Sequence, residues 1–368
     1  MFKVTNQKKL KTMKINLKYF ALPAAITLTF FANAGNPERM GQAGAGQLLI
    51  NPYARNTGMA GSNSAKVSGL EAQFLNIAGT AYTRKTEVMF NRANWFGGSG
   101  IGINSFGITQ GVGETGTIGF GVVAINAGKI PITTEEQPEG NLGTYSPTYY
   151  NISLSYAKMF SDNIYGGINV KLINEQVPNA AARGVAIDAG IQYHAGKYDQ
   201  IHFGIALRNW GPKMHYQGDG LSRQATATSI VGSYQLTIEN RAASYELPTM
   251  VNIGAAYDFF LSKDSTGLSK KHRLSLNGNF TSNSFTYDNG MVGLEYAWRE
   301  MLMFRAGTFV ERGMFNSDNS RNALAGPAAG MTFEVPFNEK KSTVGIDYSY
   351  RFSSSFGGIH TFGLRLNL

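Results

Sequence analysis

Segments of about ten residues in which apolar and polar side chains alternate recur along this 368-residue chain, and no other feature constrains its fold as much. Alternation with period two gives a strand one greasy and one polar face. In the clearest case Tyr150, Ile152, Leu154 and Tyr156 interleave with Asn151, Ser153 and Ser155. The same zigzag marks 184–193, 201–208, 251–259, 344–351 and 362–368. Weaker versions lie near 84–95, 100–108, 117–127, 164–173, 273–281, 291–298, 302–310 and 326–335, so the expectation is fourteen strands, within two either way.

Soluble sandwiches and propellers also alternate, and a large secreted one is the competing architecture. Three features favour a membrane barrel. Soluble strands average five or six residues, whereas a tilted strand needs about ten to cross a bilayer. The polar faces carry Gly, Ser, Asn, Asp and Arg, which suit a wet or filled lumen, and many apolar faces end in aromatics, as interfacial girdles do. The connections also alternate in length. Short ones fall near 159–163, 194–200, 299–301 and 336–341, and mostly long ones near 128–147, 174–183, 211–246 and 311–325. The expected fold class is all-β: an outer-membrane antiparallel β-barrel of about 14 strands. Composition agrees. Charged residues make up 15% and 44 residues are glycine, against about 25% and 7% in average soluble domains. Such a chain is not disordered, a coiled coil or a helical bundle. The absence of cysteine excludes a disulfide framework and thiolate metal sites.

The formal charge of +9 hints at a nucleic-acid partner, but its location argues otherwise. Residues 1–34 hold six lysines and no acid, leaving 27 basic against 24 acidic residues, a balance of +3, for the rest. That leader has a cationic start, an apolar stretch over 19–31 and Ala32-Asn33-Ala34 before Gly35, the layout of a cleaved secretory signal peptide. The alternative, a membrane anchor, has too short an apolar run. Met13 offers a second possible start. Residues 35–83 precede the first good strand and do not alternate. Ser68-Gly69-Leu70-Glu71 fits a capping box, with Leu70, Phe74, Ile77 and Ala78 forming a short apolar stripe. A fourteen-stranded barrel is too wide for its own side chains to fill. The segment 35–83 is therefore expected to plug residues 84–368, the alternative being a loose periplasmic tail.

The plug segment also carries a family resemblance. Asn51-Pro52-Tyr53-Ala54-Arg55, then Gly58-Met59, then Asn76-Ile77-Ala78-Gly79 resembles the opening of the PorV/PorQ family of type IX secretion system outer-membrane proteins, which belong to the FadL-like barrel superfamily. Ala60 stands where a second glycine is common in that family, and Ile77 where proline is usual. The PorV-like branch fits slightly better. The resemblance implies a fourteen-stranded, non-enzymatic barrel without cofactors. It also implies docking on the secretion translocon barrel, binding of C-terminal signal domains of cargo proteins and transfer to the surface attachment complex. The contact loop expected for this is 211–246, whose apolar run includes Ile230, Val231, Tyr234 and Leu236. The same run could instead fold down over the barrel mouth as a lid.

Other chemistries are poorly supported. Gly111-Val112-Gly113-Glu114-Thr115-Gly116 spells a dinucleotide fingerprint but lies between two strands with no helix following. Ser155 and Lys158 spell S-x-x-K, yet on a strand they point to opposite faces. His194, His202, His215, His272 and His360 show no metal-ligand spacing. Glu135, Glu136 and Glu139 read as a solvated loop. No basic, aromatic stripe supports nucleic-acid binding. Arg208, Asp188, Arg305 and Asp347 are lumen candidates too scattered for a porin constriction. The serious rival to secretion is FadL-like transport of small hydrophobic solutes, which asks for an apolar pocket beside the plug and a gap in the wall.

Overall fold

The computed structural model describes residues 35–230, 232–264, 267–311, 322–337, 342–354 and 356–368. The expected leader, Val231, most of the 311–325 loop and residues 338–341 of the short connection lie outside the described residues.

Fourteen strands form the wall: β1 Thr86–Trp95, β2 Ile101–Val112, β3 Gly116–Asn126, β4 Thr148–Ser161, β5 Ile164–Val177, β6 Ala180–Ala195 and β7 Ile201–Trp210, followed by β8 Met250–Asp264, β9 Gly267–Asn283, β10 Asn289–Trp298, β11 Leu302–Glu311, β12 Gly326–Pro336, β13 Thr343–Arg351 and β14 Ile359–Asn367. Each pairs antiparallel with its neighbours in sequence, and β14 returns to β1, with Phe90 opposite Leu364. Closure leaves no open edge, the condition for spanning lipid with strands. Each of the fourteen alternating segments corresponds to one of these strands.

The polarity is that of a soluble protein turned inside out. Leu154, Ile168, Ile191, Ile205, Leu294 and Phe362 stand exposed on the outer face, while Ser155, Asn169, Gln192, Asn277 and Asp347 are buried inside. Phe160, Tyr193, Phe259 and Trp298 lie on the outer face toward the end with short turns. That end also carries the first and last strand termini, and we refer to it as periplasmic from the turn asymmetry of such barrels.

One expected long connection is absent. β5 and β6 are joined by Pro178 and Asn179 alone, so 174–183 is a tight hairpin. The strands run on where Asn174 and Gln176 replace apolar residues, because a strand standing above the lipid needs no greasy outer face. The capping box also fails to form. Gly69 adopts φ +73°, the Leu70 N–H donates to the Glu87 carboxylate at 2.7 Å, and the short helix begins only at Ala72. Glu71 turns instead toward Arg55. The side-chain cap in this segment is Asn76, which accepts from the Ala78 N–H at 3.2 Å and starts the 3-10 helix Ile77–Tyr82.

Candidate functional site

The lumen is the candidate functional site, and residues 44–83 lie against its inner wall. Their course is recorded by glycines on the inner wall, each placed where a Cβ would strike the segment. Gly330 on β12 meets Gly58, Gly307 on β11 meets the Met59 carbonyl, Gly293 on β10 meets Ser62, Gly254 on β8 meets Ser64 and Gly204 on β7 meets Ala65. The chain then crosses the lumen. Leu70 lies on Gly107 of β2, Gln73 on Gly121 of β3, Ile77 on Gly167 of β5 and Asn76 on Gly190 of β6. These two arcs account for much of the glycine excess. Polar bonds reinforce the seat: Gln73 donates to Ser155 at 2.9 Å, Gln192 to the Val67 carbonyl at 3.1 Å and Asn252 to the Leu75 carbonyl at 3.1 Å.

Above and below this belt the lumen differs in kind. The extracellular third holds two apolar clusters. Ala93, Ile103, Ile125 and Ile359 pack with Ile50 and Val123 on one side. On the other, Ile173, Ala182 and Ala186 pack with Ala45, Leu48, Met214 and Leu247. Between the segment and the β3–β5 wall a 30 Å³ cavity remains, edged by apolar Leu48, Ile50, Phe74 and Val123 and by polar Gln47, Gln73, Asn151, Ser153 and Lys171. That is room for no more than a few waters. The periplasmic third is charged. Lys66 Nζ lies 2.5 Å from Asp258, which also faces His202 at 3.2 Å. Arg273 reaches Glu295 at 2.9 Å and Glu300 at 2.7 Å, and Arg305 reaches Glu295 at 2.6 Å. This network borders a 490 Å³ vestibule together with Arg55, Tyr82 and His194. Within the segment, Glu71 is wholly buried and meets Arg55 at 3.1 Å as an ion pair. Burial pushes the Glu71 carboxyl up to about 7 despite Arg55, and burial pushes the Tyr53 hydroxyl up as well. Burial also lowers Lys66, with Arg273 adding to the effect.

No family model matches the sequence, and no curated protein sequence matches it. Solved structures do match. A Pseudomonas aeruginosa FadL homologue aligns over 86% of this chain and 98% of its own, with a TM-score of 0.51 at 11% identity. The Pseudomonas putida toluene transporter TodX aligns over 86% and 97%, with a TM-score of 0.51 at 10% identity. The fold is FadL-like. The likeness is one of fold: a closed, fourteen-stranded antiparallel β-barrel.

This FadL-like barrel gathers the expected plug residues into one seat. Asn51 accepts from the Tyr53 N–H at 3.0 Å, Pro52 is buried, and the Ala54 N–H reaches Asn91 at 3.4 Å. Arg55 holds Glu71, while Gly58 and Met59 lie on β12 and β11. Asn76 wedges between β6 and β7 and donates to the Ile191 carbonyl at 3.1 Å. Ala78 is fully buried, and Gly79 has no room for a Cβ against the Val67 carbonyl. Ala60 adopts φ +54°, a left-handed conformation that favours glycine.

The four scattered lumen candidates all face inward. Arg305 and Asp347 are bridged by Thr332, Asp188 pairs with Lys171 at 2.6 Å, and Arg208 lies 4.2 Å over the Phe74 ring. They form no single constriction. Sequence reasoning missed Lys66, Asp258, Arg273 and Glu295, although each sat at a polar position of an alternating strand or in the plug. Which strands face each other across a lumen is not written in local spacing.

The contact loop divides into two parts. Ser222–Ser229 and Gly232–Glu239 form a hairpin outside the barrel sheet. Tyr234, Leu236 and Ile238 share one face with their partners Ala227, Ala225 and Arg223, and all three are exposed, as is Ile230. The flanking arms do the covering instead. Met214 and Leu247 are buried at the barrel mouth, and Met214 and Tyr245 exchange backbone hydrogen bonds at 2.9 and 2.8 Å.

Proposed function

We propose that this barrel admits small hydrophobic solutes from outside into its upper lumen, as a non-enzymatic channel of the FadL type exported behind the leader 1–34. The observation that carries this reading is the apolar layer inside an otherwise polar lumen, directly beneath the extracellular cover. An aqueous pore gains nothing from inward-facing Ile103, Ile125, Ile173 and Ile359, whereas a greasy solute exchanging with those side chains keeps apolar surface out of water. The likeness to a toluene transporter supports it. Passage requires motion, because the cavity beside the segment is small and strand pairing is continuous apart from single register shifts in β4–β5, β6–β7 and β8–β9. The test is mass spectrometry of hydrocarbon retained by purified protein after exposure to toluene. Retention that is lost in Val123→Asp, with the barrel still folded, is the expected result.

A second reading rests on the exposed hairpin. Its apolar face and two unpaired edges could receive a folded β-domain by strand addition. This suits the PorV-like role of binding C-terminal cargo domains beside the secretion translocon barrel and surface attachment complex. Protein that retains no hydrocarbon yet co-purifies with a very large barrel and with cargo domains would move the assignment here.

A further inference from the structure

The upper chamber is closed by two arms of one loop, residues 211–221 running out and 240–249 running back, and by residues 42–48 beneath them. Packing explains part of the closure. Met214 sits on Gly184, Tyr245 on Gly44, and Leu247 on Gly211. Polar ties add to it: the Gly44 N–H donates to the Glu246 carbonyl at 2.9 Å, the Glu246 N–H to the Gln42 carbonyl at 3.1 Å, and Arg39 pairs with the Glu246 carboxylate at 2.8 Å. Side chains from three segments converge on one further residue. Glu175 on β5 is buried, and its Oε1 accepts from Gln47 Nε2 at 2.9 Å while its Oε2 accepts from the hydroxyls of Tyr216 at 2.7 Å and Tyr245 at 2.8 Å. The three donors come from the N-terminal segment, the outgoing arm and the returning arm. Burial raises both tyrosine hydroxyls, with Glu175 adding to the shift, so they remain donors.

We infer that these arms are a movable cover over the upper chamber and that Glu175 is the latch holding it shut, while residues 54–80 stay fixed in their glycine seat. The contrast in attachment carries the argument. The seat engages strands all round the barrel through backbone-close contacts that leave no room to slide. Glu175 is the carboxylate on which both arms and the N-terminal segment meet, and losing it strands two half-buried hydroxyls and a buried amide. The cover closes the chamber assigned above to solutes, so its role in entry rests on that reading.

The experiment measures opening directly and needs no solute. The chain contains no cysteine, so Leu48→Cys, 3% exposed beneath the cover, is a clean reporter for a membrane-impermeant maleimide; Ala45→Cys is the alternative reporter. In Glu175→Ala, and in the Tyr216→Phe/Tyr245→Phe double variant, labelling should accelerate by about tenfold or more. Glu175→Gln, which keeps an acceptor oxygen, should fall between these and the parent. Linking the outgoing arm to β6 through Gln217→Cys and Ala181→Cys, which are cross-strand partners, should return labelling in Glu175→Ala to the parent rate when oxidised. Equal labelling in all backgrounds, with heat-modifiable gel mobility showing folded barrels, overturns the latch. Acceleration that the cross-link does not reverse overturns the assignment of the moving part. Glu175-dependent labelling in a protein that retains no hydrocarbon leaves the cover standing and removes the solute reading.

Discussion

The upper and lower thirds of the lumen lie behind the same wall, yet they are held by different forces. Above the glycine belt, Ile103, Ile125, Ile173 and Leu48 pack by non-directional apolar contact beside the buried ion pair Lys171–Asp188, and Glu175 is the carboxylate where three segments of the cover meet. Below it, Lys66, Asp258, Arg273, Glu295 and Arg305 form a network in which every charge has a partner. Apolar contacts can be exchanged for similar ones at little cost, whereas a buried ion pair that loses one member leaves an uncompensated charge. The upper third is built to be repacked, the lower third to stay as it is.

That contrast can be broken. The largest effect is expected at the belt. Gly254→Val would drive a side chain into Ser64 and the Ala65 backbone, unseating the N-terminal segment. Planar-bilayer recordings should then show a large persistent conductance that the parent lacks; a silent variant in a folded barrel would mean that the belt does not hold the seal. Next comes Asp258→Asn, which strips the charge facing Lys66 and His202 and should lower unfolding stability by about 3–5 kcal/mol. Val123→Ala in the upper third removes only part of an already half-buried side chain and should cost less, about 1 kcal/mol. Urea unfolding of the two variants ranks the layers, and equal losses would erase the distinction drawn between them.

A smaller, pH-dependent effect belongs to Glu71. Its ordinary value is 4.5, and burial raises the folded-state value to about 7. The folded protein therefore binds the extra proton between those values. The resulting stabilisation is complete below 4.5 and is lost as pH rises through 7, amounting to about 3 kcal/mol at most. Protease resistance of the N-terminal segment should decline from pH 5 to pH 8, and Glu71→Gln should flatten the profile. The smallest effect is expected outside the barrel: Leu236→Ser in the exposed hairpin should change stability by no more than about 0.5 kcal/mol. A loss of cargo-domain binding in that variant would sharpen the second functional reading.

Much of the wall was legible because a strand between lipid and lumen must alternate. The fourteen zigzags around Leu154, Ile191, Ile205 and Ile346 mark its strands, and Ser155 and Lys158 do point to opposite faces. Legibility ended where the lipid ended. Asn174 and Gln176 read as loop although their strands continue, because no bilayer enforces an apolar face there. Ser68 read as a helix cap, but the nearby N–H of Leu70 was claimed by Glu87 from another element. The run at Ile230–Leu236 was equally ready to be lid or exposed surface. The cover proved to be its neighbours Met214, Tyr245 and Leu247, whose apolar side chains carry no periodic signal.

The amino-acid order alone determined that this chain encircles something: period-two polarity over membrane-length segments permits few other arrangements. Only the tertiary structure decided what is encircled and how. The meeting of Ser64 with Gly254, of Lys66 with Asp258 and of Gln47, Tyr216 and Tyr245 on Glu175 joins residues far apart in the chain. Their partnership arises from barrel closure, which converts sequence distance into proximity across the lumen, and local patterning holds no record of it.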